Sequence, residues 1–76
     1  MEKRMKILPI CETKDVAREE VALFVHSPIF RKAEGEVISV NYYIKDMGWE
    51  YGYFGQLIFS YNPSKLTREE LLELLT

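Results

Sequence analysis

Cysteine is almost missing from this chain: Cys11 is the only one among 76 residues, so no internal disulfide can staple the fold. Histidine is equally scarce. Cys11 and His26 fall short of the four ligands a structural zinc requires, so no metal-organised core is expected. No apolar run approaches the ~20 residues of a membrane-spanning helix; the longest is Val21-Ala22-Leu23-Phe24-Val25. The start, Met1-Glu2-Lys3-Arg4-Met5-Lys6, is basic, but no apolar segment or small-residue cleavage site follows it, so no secretory signal is expected. A lone thiol without an export signal suits the cytoplasm. Amide side chains are few (Asn41, Gln56, Asn62) while Glu and Lys are common, a composition that leans towards a thermophilic source.

What is present is ordinary for a globular protein. Apolar types make up 47% and charged types 29%, with a formal net charge of −2. Residues 1–76 allow one domain. At this size a single core supplies little net stability, and many such domains add disulfides, metals or oligomerisation. With the first two excluded, self-association is the expected route to further burial.

Residues 5–11 read as a short strand, with Pro9 forcing it to an edge or end because proline donates no ladder hydrogen bond. Thr13 or Asp15 starts a helix. Ala17, Val21, Phe24, Val25 and Pro28 then recur at helical spacing, which favours a helix over 16–25, although Val21–Val25 alone also reads as a buried strand. The helix should end near His26, since Pro28 disfavours α geometry at Ser27. Ser27 as N-cap, Pro28 at the first helical position and Gly35 after the last turn predict a second short helix near 28–34.

Residues 36–61 carry the clearest pattern. Ile38, Val40, Tyr42 and Ile44 alternate with Ser39, Asn41, Tyr43 and Lys45, and a second alternation runs through Tyr51, Tyr53, Gly55, Leu57, Phe59 and Tyr61. This predicts a β-hairpin. A two-residue loop at Met47-Gly48, or a four-residue loop at Asp46–Trp49, gives partners whose numbers sum to 95 and puts both apolar sets on one face; a three-residue loop would separate them. The last element is a helix beginning with the capping box Thr67-Arg68-Glu69-Glu70, flanked by Leu66 and Leu71 at the staple positions.

The order β-α-β-β-α, with a short extra helix, predicts an α+β two-layer sandwich with a three-stranded sheet. The first strand sits beside the third, antiparallel. That is a split β-α-β, the first part of a truncated ferredoxin-like plait.

Three chemistries compete for the function. Cys11 stands just before a helix start, where the dipole favours a thiolate, and His26 is the one available base. A thiol-dependent enzyme or redox protein would rest on those two, but nothing in their spacing joins them. Cys11 as a small buried apolar residue and His26 as a helix C-cap explain both. Nucleic-acid binding would rest on Lys3, Arg4 and Lys6 together with the aromatics of the hairpin. From residue 39 onward, however, the bases Lys45, Lys65 and Arg68 are outnumbered by Asp46, Glu50, Glu69, Glu70 and Glu73, so the hairpin lacks a cationic rim. The glutamates read as a solvated helix face and a capping box, not as a metal or acid–base site, and no cofactor motif is present.

The third class is protein binding. In the predicted register Val37, Tyr43, Phe54 and Ile58 fall on the sheet face away from the helices. A solvent-facing antiparallel sheet is usually more polar than that, and an apolar cluster with a polar rim marks an interaction surface. The sequence therefore predicts a small intracellular, non-enzymatic interaction or regulatory protein. Its partner is a second copy of itself or another protein, met through the outer face of hairpin 36–61.

Overall fold

The apolar alternation at 51–61 organises the molecule. In the computed structural model, which describes Met1–Thr76, this segment is strand β3 (Tyr51–Tyr61), the centre of a three-stranded antiparallel sheet. Strand β1 (Glu2–Ile7) pairs along one side of it and β2 (Glu36–Asp46) along the other. With β3 between them, β1 and β2 run parallel without touching, the split arrangement expected for this order of elements. Helices α1 (Lys14–Val25), α2 (Pro28–Lys32) and α3 (Arg68–Leu75), with a 3-10 turn at Pro63–Lys65, complete an α+β two-layer fold.

One side of β3 is the core. Leu57, Phe59 and Tyr61 are buried with Phe30 of α2, Ala33 and Leu74 of α3, while Phe24 and Val25 of α1 pack against them. The rings of Phe24, Phe30 and Phe59 stand 5.4–5.5 Å apart at tilted or edge-on angles, the geometry that ring quadrupoles favour. Segment 16–25 is helix, not strand. Thr13 caps it by accepting from the Val16 N–H at 3.2 Å, and Ala17 and Val21 are its buried residues. β3 is bare at Gly55, and α1 packs directly on the strand there: a β-carbon on Gly55 would come within 2.7 Å of Val21 Cγ2.

The caps follow the sequence. Ser27 accepts from the Phe30 N–H, with Pro28 opening α2. The end of α2 differs by one residue from expectation. Glu34, not Gly35, takes the left-handed position (φ 56°). The Glu34 N–H bonds to Arg31 O and the Gly35 N–H to Phe30 O, a Schellman closure. Gly35 is required by space instead, since a β-carbon there would lie 2.6 Å from the Phe30 ring. The Thr67–Glu70 capping box is fully formed. Both carboxylate oxygens of Glu70 also accept from Lys32 Nζ at 2.8 Å, which ties α2 to α3. That bond, and then the Thr67 N–H, hold the Glu70 carboxyl below its ordinary range.

β1 is shifted from the expected 5–11. It pairs regularly from Glu2 to Ile7 and breaks at Pro9. The chain then rejoins β3 in a single bridge between Cys11 and Tyr53. The hairpin register also needs correction. The loop is Met47–Glu50, so Asp46 pairs with Tyr51, Ile44 with Tyr53 and Tyr42 with Gly55, two residues beyond the expected partners. A shift of two preserves parity, so these side chains keep their predicted faces. Parity fails only near the start of β2, where a bulge at Ile38 intervenes between the pairs Val37↔Phe59 and Ser39↔Ile58. Val37 thereby leaves the outer face to which the regular register assigned it. It lies opposite the core residue Phe59.

Two outcomes test these contacts. Gly55→Ala should lower stability by about 1–3 kcal/mol, because Val21 is stiff at χ1 and must move or the helix must. Adding Val21→Ala should recover part of that loss in chemical denaturation. Glu70→Gln should lower the melting temperature above the ordinary carboxyl value of 4.5. The folded-state pKa is depressed, so this contribution is present above that value. It is lost as pH falls through the folded pKa, and the difference between variant and parent should close there.

Candidate interaction surface

Because side chains alternate along β3, the positions between the core residues point the other way. Phe54, Gln56 and Ile58 lie on this outer face, flanked by Tyr43 and Asn41 on β2 and by Met5 and Ile7 on β1. All three helices contribute their buried residues to the opposite side, so no element of the chain forms a layer here. Tyr43, Met5 and Ile7 are 44%, 52% and 58% exposed, and Phe54 and Ile58 are half-buried. The patch is apolar where an open antiparallel sheet would normally be polar.

It is also ordered by its own contacts. The Tyr43 and Phe54 rings stack with centroids 5.6 Å apart. Tyr43 Oη donates to Gln56 Oε1 at 3.1 Å, and Gln56 Nε2 reaches Met5 Sδ at 2.8 Å. These links cross all three strands. Three of the four sequence candidates, Tyr43, Phe54 and Ile58, are brought together; Val37 is not. Met5 and Ile7 were missed. Their signal was the alternation with Lys6 and Leu8, which becomes readable once β1 is known to pair with Ile58 and Gln56.

The end of the hairpin projects past the helices. Trp49 in the loop is 85% exposed, and Ile44 and Tyr51 are exposed beside it. Gly52 is sheltered from the outer side by Ile10, whose Cγ2 would clash with a β-carbon there.

The thiol site is not assembled. Cys11 precedes α1 and His26 caps its far end. Twelve helical residues separate them, about 18 Å of helix rise. Cys11 Sγ donates to Pro9 O at 3.4 Å. Burial, and then the Glu20 charge, push its thiol pKa up, the reverse of activation. His26 is exposed, and its backbone N–H closes the last turn of α1. No three His, Cys, Asp or Glu side chains converge in a way that would hold a metal ion.

The basic start is divided by strand alternation. Lys3 lies opposite Ser60 on the outer face, whereas Arg4 and Lys6 lie opposite the core residues Phe59 and Leu57. Lys6 is already engaged: its Nζ donates to Leu74 O and Thr76 O at 3.2 and 3.1 Å, and it stands 4.9 Å from the centre of the Phe24 ring. It caps the C-terminal end of α3, where a cation is favoured by the dipole. Lys3, Arg4 and Lys6 therefore do not form one phosphate-tracking stripe.

No helix is long and apolar enough to cross a membrane. Comparison with protein-family models, curated proteins and solved structures gave no match to this chain.

The raised Cys11 pKa leaves less thiolate at neutral pH than a free thiol carries. Alkylation of the native protein at pH 7 should run several-fold slower than that of a small-molecule thiol, and should accelerate as pH rises past the ordinary 9.0. Glu20→Gln should speed it. Labelling at neutral pH faster than a free thiol would restore Cys11 as a reactive group.

Proposed function

We propose that this chain is a non-enzymatic interaction or regulatory module that acts as a homodimer, joined through the outer face of its sheet. The observation that carries this reading is the unlayered patch of Tyr43, Phe54, Ile58, Met5 and Ile7, apolar and held in order by the Gln56 links.

Surface arithmetic agrees with it. The chain exposes 5361 Å² for a mass of 9.0 kDa, whereas a folded monomer of that mass typically exposes about 4,900 Å². The excess suits a subunit with a face left to bury. The strand edges are less suited to self-pairing. β2 carries the bulge at Ile38 and the charges Lys45 and Asp46, and the β1 edge breaks at Pro9. Bulges, charges and proline are the features by which edges avoid pairing with other chains. A cytoplasmic setting suits a module with a single free thiol at Cys11.

Sedimentation equilibrium tests the reading. The parent chain should have the mass of a dimer at micromolar concentration. Phe54→Lys and Ile58→Lys each place an ammonium in the buried patch, and should shift the mass to that of a monomer while the far-ultraviolet dichroism stays unchanged. A parent chain that remains monomeric at high micromolar concentration would overturn it, as would a dimer indifferent to both changes.

A further inference from the structure

Charge at the corners of the outer face says how a second copy would sit on it. The bulge at Ile38 places Glu36 opposite Ser60, on the outer face at one end of β2. Lys45, opposite Gly52, occupies the same face at the other end. The row Ile7–Gln56–Asn41 lies midway. Ser60 and Gly52 are each four residues from Gln56 along β3, about 13 Å either way. Glu36 and Lys45 are both exposed, and neither joins the chain's salt bridge, which is Lys32–Glu70. A negative and a positive corner thus stand equidistant from a central row, both without an internal partner.

We propose, building on the homodimer reading above, that the second copy is related by a two-fold axis lying in the plane of the interface, across the strands and along the Ile7–Gln56–Asn41 row. This rotation exchanges the two ends of the face. Each Glu36 then meets the partner's Lys45, twice per dimer. Ile58 of one chain lies over Phe54 of the other, Ile7 over Ile7, and the Asn41 amides face each other. Strands of the two sheets run antiparallel, within the ~30° of aligned sheet packing. An axis along β3 would instead pair Glu36 with the partner's Lys3, but it sets Ile7 on Asn41 and Met5 on Ser39, two apolar-on-polar contacts, whereas the crosswise axis makes one, Tyr43 on Ser39, so the crosswise axis is the better match. Such an interface is isologous: every contact occurs twice.

Charge reversal tests the axis. Glu36→Lys brings two pairs of lysines together and should weaken the dimer about tenfold, as should Lys45→Glu with two pairs of glutamates. The double variant Glu36→Lys/Lys45→Glu keeps the net charge of the parent and re-forms both pairs, so its dissociation constant should return to within about threefold of the parent's. Because the positions are exposed rim sites, folding should be unaffected, and dichroism checks this. A parent dimer whose single variants dissociate no more readily, or whose double variant is no better than the singles, overturns this axis while the homodimer reading stands. Rescue of Glu36→Lys by Lys3→Glu, and not by Lys45→Glu, would do the same and put the axis along β3. A parent that is monomeric throughout overturns both.

Discussion

Val21 of α1 rests on the backbone of β3 at Gly55, with no side chain between them. That contact sets how closely the helical layer approaches the sheet. It lets α1 bring Phe24 to the Phe30 and Phe59 rings, and it leaves α2 and α3 room to add Phe30 and Leu74 to the same side. Three short helices are spent on that one face. A two-layer fold of this size has nothing left to cover the other side, so the openness of the outer face follows from the same constraint that builds the core.

Much of the architecture was legible in sequence because it rests on local chemistry. The Thr13, Ser27 and Thr67 caps, Pro28 at a helix start and the capping-box Glu70 each satisfy backbone groups within a few residues, and each appears where the residue types placed it. The faces of the hairpin were legible for a different reason: parity survives an even shift, so mistaking Asp46–Trp49 for the true loop Met47–Glu50 moved every partner but turned no side chain over. What stayed hidden depends on distant parts of the chain. The Ile38 bulge has no local signature, since neither glycine nor proline marks it. Met5 and Ile7 join the patch only through pairing with β3, and the need for glycine at 55 shows only when α1 is seen to lie on it.

The basic N-terminal segment shows how secondary structure redistributes a charge cluster. In sequence Lys3, Arg4 and Lys6 are neighbours. In a strand they divide between two faces, and the three serve different surroundings. Lys6 is partly desolvated between α1 and α3, which lowers its pKa. Its bonds to the carbonyl oxygens at the end of α3 and its place by the Phe24 ring make it part of the packing rather than of a free cationic surface. Of the three, Lys3 alone remains on the outer face, and with Lys45 at the far end of that face it makes no continuous cationic track for a polyanion to follow.

The slip at Ile38 has an electrostatic reason as well as a geometric one. Were the ladder to continue without it, Glu36 would lie opposite Tyr61, on the core side. Tyr61 already has Glu2 as its partner from β1 and donates its hydroxyl to Glu2 Oε2 at 3.1 Å. A second carboxylate beside that pair would be desolvated against the buried Tyr61 ring, with the like charge of Glu2 nearby. The extra residue turns Glu36 outward, where water solvates it, and gives the core side Val37 opposite Phe59 instead. One irregularity thus keeps the Glu36 charge off the core side of the sheet and sets it at the corner of the open face.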